Sequence, residues 1–248
     1  MEYRLKIGQH QTNFKVGNMK KGIKELTDRE NADSFWVNAR KNLVLDLIEG
    51  KKVLDIGCGT GLMCNSAAEK GYDVTGIDLE KEGIEIARKN APKNRRTYFV
   101  VGDFLKYNFK EGSFDSVIIT DVLEHVKNDG EMLRKIFKVL KKGGVLVLTV
   151  PAFEFLYGRH DKEFSHYRRY SKKKLEKELM SIGFAIDKSR YWNMISVPMV
   201  LYSNILNRTY PTSKNRLNNF FTAYFKLVEK NFNMPIGISL VIKARKPK

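Results

Sequence analysis

The chain reads as an α/β protein built on a doubly wound, mostly parallel sheet. Three observations predict this. Short apolar runs rich in β-branched residues recur at 51–56, 73–78, 97–101, 114–119 and 144–150, and helix-compatible stretches lie between most of them. The first run passes through Asp55-Ile56-Gly57-Cys58-Gly59-Thr60-Gly61 straight into a helical segment. Acids stand at the ends of the first three runs: Asp55, Asp78 and Asp103. Strands alternating with helices imply right-handed crossovers, and such sheets bind ligands beyond the carboxyl ends of their strands.

Taken in order, residues 1–30 are polar, rich in Lys, Asn and Gln, and form an N-terminal arm ahead of a single domain at 31–248. Asp33 or Ser34 is placed to cap a helix carrying Trp36, Ala39, Leu43, Leu47 and Ile48 at helical spacing. After strand 51–56, Gly57, Gly59 and Gly61 allow a sharp turn and close backbone approach to a ligand, ahead of a helix at 62–70. A helix at 80–90 stops before Pro92. Residues 128–140 place Met132, Leu133, Ile136, Phe137 and Leu140 on one helical face, and Gly143-Gly144 ends that helix. Pro151 stops the next strand. Residues 153–170 are a loop rich in His, Arg and aromatics. Ser171 caps a helix to Ile182, Gly183 ends it, and strands follow at 184–192 and 239–244. The connection 193–237 is unusually long. It contains an apolar stretch at 194–206 with Pro198, and an aromatic helix candidate at 220–228.

Composition sets bounds. A length of 248 residues with 42% hydrophobic content supports one domain with an insertion. Cys58 and Cys64 form neither a disulfide framework nor a C-x-x-C metal motif, so a reducing, cytoplasmic setting is expected. The N-terminal residues lack the apolar core of a signal peptide, and no run reaches spanning length. The net charge of +17 has two readings: a polyanionic partner such as nucleic acid or an anionic membrane surface, or a solvated lysine-rich surface. The cations are dispersed, which favours the second.

The order acid, D-x-G-x-G-x-G glycines, acid, acid resembles the class I S-adenosylmethionine (SAM)-dependent methyltransferases, in particular the small-molecule branch similar to ubiquinone-type, type 11 enzymes. The resemblance implies a Rossmann-like seven-stranded sheet with the last strand antiparallel between strands 5 and 6. It implies SAM as cofactor and S-adenosylhomocysteine as product. Asp55, Gly57, Cys58, Gly59 and Gly61 would shape the cofactor turn. Asp78 and Leu79 would meet the ribose end. Asp103 and Phe104 would frame the adenine, and Thr120 and Asp121 would complete the rim. Trp36-Val37-Asn38-Ala39-Arg40 resembles a helix that brings its arginine to the methionine carboxylate, although Arg40 also reads as an exposed helix charge.

Methyl transfer needs a base only when the acceptor is an undissociated hydroxyl or a protonated amine. Candidate bases are His125, His160, His166 and Tyr170. The segment Thr120-Asp121-Val122-Leu123-Glu124-His125-Val126 resembles a family motif that in some relatives holds a divalent cation through acid-x-x-acid-His. Asp121, Glu124 and His125 fit that spelling, but a metal-free bracing role is favoured. His160-Asp161 and His166-Tyr167-Arg168-Arg169-Tyr170-Ser171 resemble a loop lying over the active site, with Arg168 and Arg169 as substrate-binding candidates. The 193–237 insertion is expected to select the substrate, or to rest on a membrane surface.

The reading is methyl transfer to an O or N atom of a small-molecule, sugar-like or lipid-linked acceptor. The alternatives are an RNA or protein methyltransferase using the basic surface, and a non-catalytic SAM- or nucleotide-binding module. No Asn-Pro-Pro-Tyr motif follows strand 4, and no cysteine follows strand 4 or 5, which argues against methylation of nucleic-acid bases and leaves RNA ribose or protein open.

Overall fold

The computed structural model describes residues 35–93, 96–206, 223–229 and 232–248. The expected arm, the Asp33 or Ser34 cap and the start of the 220–228 helix lie outside them. Seven strands form one sheet: β1 (Lys52–Ile56), β2 (Asp73–Asp78), β3 (Thr97–Val101), β4 (Phe114–Thr120), β5 (Leu140–Pro151), β6 (Ala185–Trp192) and β7 (Ser239–Arg245). Their order is β3-β2-β1-β4-β5-β7-β6. The first five pair in parallel, and β7 runs antiparallel between β5 and β6. The helices are α1 (Phe35–Leu45), α2 (Leu62–Glu69), α3 (Lys81–Lys89), α4 (Asp129–Val139), α5 (Arg159–Glu163), α6 (Lys172–Ile182) and α7 (Val197–Ile205).

Successive strand side chains point to opposite faces, so continuous apolar runs must be covered on both. Leu54, Val117, Ile119, Leu146 and Leu148 pack on one face with Leu133 and Ile136 of α4 and Leu175 and Leu179 of α6. Val53, Ile118 and Val147 pack on the other with Val44 and Leu45 of α1, Cys64 and Ala67 of α2, and Ile84 of α3. Two layers of helices on a parallel sheet leave its carboxyl rim open for chemistry.

One boundary differs from expectation. Helix α4 stops at Val139 rather than running on to Gly143-Gly144, and Leu140 already pairs with Phe114 in the sheet. Pairing then skips to Val145 opposite Ser116, and Gly143, at φ 77°, sits in the resulting bulge. The free carbonyls at the helix end are met by Lys246 Nζ, which donates to the Phe137 and Leu140 oxygens at 2.8 Å each. A lysine from the far end of the chain thus does what a left-handed glycine would do. Helix α6 does end at Gly183, with φ 112°. Ser171 occupies its N-cap position, but its side chain makes no capping bond.

Other cations serve similarly. Lys135 Nζ donates to the carbonyls of Leu105 at 2.7 Å and Tyr107 at 2.9 Å, and Lys172 Nζ to Ser189 at 2.8 Å. Part of the positive charge therefore holds chain turns in place. The long connection after β6 is partly core as well. Phe225 packs on Trp192 with ring centroids 5.2 Å apart. The buried Glu229 carboxylate accepts from the amides of Asn193 at 2.6 Å and Met194 at 2.8 Å. That portion of the expected substrate-selecting insertion is a structural clamp.

Candidate active site

The glycine turn forms as expected at the end of β1. Gly57 and Cys58 both donate their amides to the Ile77 carbonyl, at 2.8 and 3.2 Å, which ties the turn to β2. Gly57, Gly59 and Gly61 all have positive φ, at 72°, 51° and 85°. A Cβ on Gly57 would lie 2.3 Å from Val122 Cγ2, and one on Gly61 2.7 Å from the Ala87 Cβ. A Cβ on Gly59 would meet nothing within 4 Å, so this backbone borders open space. That is the kind of cradle into which a ligand presses.

Asp78 lies beside it at the end of β2. One carboxylate oxygen accepts from Gly59 N at 2.8 Å and the other from Glu80 N at 2.9 Å. The acid is thereby fixed at the mouth of the turn, and each oxygen keeps acceptor capacity for a ligand hydroxyl. Leu79 next to it is 57% exposed, an apolar surface at the same mouth. Asp103 accepts from Leu105 N at 2.8 Å and so closes its own turn, with part of its carboxylate still open to the rim.

Four of the sequence candidates are more enclosed than a rim position implies. Asp55 is not on the rim: it is buried under the turn, where the Cys64 thiol donates to it at 3.3 Å. Burial pushes its carboxyl up to about 7, against the thiol's hydrogen bond, and the Asp78 charge pushes the same way. Cys58 turns its thiol inward: a Cβ on Gly76 would lie 2.8 Å from both cysteine sulfurs. Phe104 points its ring into the core against Phe109, 6.1 Å between centroids, so only its backbone is left to frame an adenine. Arg40 is not an exposed charge. It pairs with Asp121 and lies 4.7 Å from the Trp36 ring centre.

Asp121 leaves β4 at φ 51° and also accepts from Thr149 Oγ1 at 3.0 Å, while Thr120 is half-buried at the strand end. Because Asp121 is held by Arg40 and Thr149, it does not join Glu124 and His125. His166 joins them instead. Ligand atoms of Glu124, His125 and His166 all lie within 4.8 Å of one another. Two imidazoles and a carboxylate are a donor set suited to a transition metal. Glu124 is buried, and its Oε2 has no hydrogen-bond partner. Burial lifts its carboxyl to about 8, although Arg40 and Arg169 pull it down. Burial and the adjacent His166 press His125 down to about 4, so His125 is neutral at pH 7.

The centre of this cluster is a dyad. His166 Nδ1 lies 2.9 Å from Asp161 Oδ1. Asp161 is fully buried at the start of α5, where it also accepts from Gly158 N at 2.9 Å and from Arg169 Nε at 2.9 and 3.0 Å. Burial alone would raise its carboxyl, but His166, Arg169 and the Gly158 amide outweigh that and hold it below the usual range. An ionised Asp161 keeps the proton of His166 on Nδ1 and leaves the Nε2 lone pair free. Asp161 stood in the sequence without a role. Its five-residue spacing from His166 spans a helix end, and nothing in the letters marks it as buried.

The remaining candidates are placed as follows. Arg169 is buried beneath Asp161 and is not a substrate contact. Arg168 pairs with Asp129 at 2.7 Å and donates to the Lys127 carbonyl at 2.8 Å, at the edge of a cleft of about 400 Å³ lined also by Tyr167 and Lys174. Tyr170 is buried and donates its hydroxyl to Asp129 at 3.0 Å. Burial and that carboxylate drive its phenol well above the usual range, which removes it as a base. His160 is half-buried against Phe164, with ring centroids 4.5 Å apart.

The fold and the glycine turn define a class. Residues 54–148 match the family model described as a methyltransferase domain, and they lie on a Rossmann-like sheet. Among individual proteins, it is similar to the ubiquinone biosynthesis O-methyltransferase of Psychrobacter cryohalolentis, with 35% identity over 130 residues, which are 48% of this chain and 49% of that one. The chain thus spans about half the length of the curated relatives it matches. Two solved structures share the fold. One is the methyltransferase in complex with the Haloferax volcanii Trm112 methyltransferase activator, at TM-score 0.68 and 18% identity, covering 94% of this chain and 97% of that one. The other is Haemonchus contortus phosphoethanolamine N-methyltransferase 2 in complex with SAM, at TM-score 0.59 and 22% identity, covering 84% and 53%.

Proposed function

We propose that this protein transfers a methyl group from SAM to an O or N atom of a small-molecule, sugar-like or lipid-linked acceptor, with His166 as the general base. The observation that carries this reading is the Asp161–His166 dyad, set on the same rim as an open glycine turn. The two are joined by contact: Val122 packs against Gly57, and the amide of His125 donates to the Val122 carbonyl at 2.9 Å. The ring of His125 then meets the His166 ring edge-on at 4.7 Å.

The residues fit the cofactor. Gly59 offers an uncrowded backbone, Asp78 an anchored carboxylate for ribose hydroxyls, and Leu79 an apolar wall. When bound, SAM supplies a methyl group already activated on a sulfonium. The chain's own work is then to hold the acceptor, keep water out and take a proton. His166 Nε2 accepts the acceptor's proton, and the Asp161 carboxylate stabilises the imidazolium that results. The buried Glu124 and neutral His125 bound the space in front of Nε2 and fix the acceptor's polar atom there.

A non-catalytic binding module has no use for a buried carboxylate that orients an imidazole. An RNA or protein acceptor draws support chiefly from the basic charge, and several of those cations are committed to backbone carbonyls. The test is release of S-adenosylhomocysteine from SAM in the presence of a panel of phenols, sugars, amines and extracted lipids. Turnover with one of these that disappears in His166→Ala supports the reading. Turnover unchanged in that variant would contradict it.

A further inference from the structure

The two segments that carry Glu124, His125 and His166 are clamped together through their backbones. Tyr167 N donates to the Glu124 carbonyl and His166 N to the Asp161 carbonyl, at 2.8 Å each. The Tyr157 hydroxyl donates to the His166 carbonyl, also at 2.8 Å. Ser165, just before His166, is held in the left-handed region at φ 59°. Its backbone hydrogen-bonds the His125 ring. A non-glycine residue kept in that region is strained, and such strain gathers where a loop must present a group. The two rings and the carboxylate are therefore fixed before any ligand arrives.

Each imidazole has one nitrogen engaged by the protein. His166 Nδ1 is on Asp161 at 2.9 Å, and His125 is held by the Ser165 backbone. An imidazole oriented through one nitrogen by a carboxylate or a backbone group, with the other nitrogen left to bind, is the arrangement that metal-binding histidines adopt. Glu124 supplies a third donor and a negative charge. It is 1% exposed, and its Oε2 has no hydrogen-bond partner among the described residues. The neighbouring cations are already matched, Arg40 by Asp121 and Arg169 by Asp161. A buried carboxylate oxygen without a partner is a group that a bound cation satisfies.

Two nitrogens and a carboxylate suit a borderline transition ion, whereas Mg2+ and Ca2+ favour oxygen donors. Nitrogen and oxygen donors about 2.0–2.2 Å from one ion lie roughly 3–4 Å from each other. Small rotations of the three side chains close the observed spread of 4.8 Å. We infer that Glu124, His125 and His166 bind a divalent transition-metal ion of the zinc type. Asp121, which the spelling of the motif offered as a donor, is withdrawn by Arg40, and His166 from the loop before α6 takes its place. The ion takes the Nε2 lone pair of His166 and fills the space in front of it. On the proposed function the loaded enzyme is therefore inhibited. That consequence rests on the methyl-transfer reading, and the binding does not.

The experiment is titration of the chelator-stripped full-length chain with Co2+, followed by its visible absorption. Neither SAM nor an acceptor is present, so the outcome is independent of the methyl-transfer reading. Wild type is expected to take up a single Co2+ per chain, displaced by Zn2+ and retained in about a hundredfold excess of Mg2+. Glu124→Gln and His125→Ala should each weaken binding at least about 100-fold, and Asp161→Asn about 10- to 100-fold. His10→Ala should leave it unchanged. A second readout needs no altered ligand: the chain has four histidines, and in wild type the ring resonances of His125 and His166 should move together in the NMR spectrum as one equivalent of Zn2+ is added. No Co2+ uptake by wild type would overturn the proposal. So would uptake that survives both Glu124→Gln and His125→Ala, uptake lost in His10→Ala, or displacement by Mg2+ as readily as by Zn2+.

Discussion

The two halves of the open rim are built on different principles. At β1 to β3 the working groups are backbone: three glycines, the amides that anchor Asp78, and a turn stitched to β2. At β4 and β5 they are side chains buried in low dielectric and made to constrain each other: Glu124, His125, His166, Asp161 and Arg169. The first half needs permissive geometry. The second needs charges placed where they cannot relax. On the proposed function, a site divided in this way would keep cofactor binding and proton transfer separable, and substitutions should show it.

The largest effect is expected at Asp161. Removing it in Asp161→Ala leaves Arg169 buried without its partner and should cost roughly 3–5 kcal/mol of stability, read by urea unfolding. A loss under about 1 kcal/mol would mean the dyad is not the anchor of the second half. His166→Ala should leave the fold standing and lower turnover on the order of 10²-fold or more, with S-adenosylhomocysteine affinity unchanged by calorimetry. Asp78→Ala should do the converse, weakening cofactor affinity about 10- to 100-fold, with little loss of turnover at saturating SAM. If each variant moved both quantities together, the division of the rim would fail.

A separate effect concerns pH. Asp55 is raised to about 7 in the folded chain, so between about 4 and 7 the folded state holds a proton that the unfolded chain has released. Stability from this group therefore falls as pH rises through that window and is flat above it, with a slope of at most about 1.4 kcal/mol per pH step. Asp55→Asn should remove that slope, measured as the difference in melting behaviour at pH 5 and pH 7.

The contrast also explains what could be read from the letters. Continuous β-branched runs can be buried only as central strands, so the sheet was legible, as was the glycine turn; the antiparallel place of the last strand was implied only by the family resemblance. The end of α4 was not, because its capping lysine, Lys246, comes from the other end of the chain. Arg168 and Arg169 are adjacent and identical in type, yet Arg168 pairs with Asp129 and the buried Arg169 binds Asp161. Asp121 and Arg40 read as separate residues in the letters, and the fold pairs them with each other. Partner choice among charges depends on which side chains the fold brings together, and spacing along the chain does not encode it.

The most direct measurement is calorimetric titration of S-adenosylhomocysteine into wild type, Asp78→Ala and His166→Ala side by side. The expected result is one site per chain in wild type, lost or strongly weakened in Asp78→Ala and intact in His166→Ala. No binding to wild type, or equal binding to all three, would contradict a cofactor site built on the glycine turn.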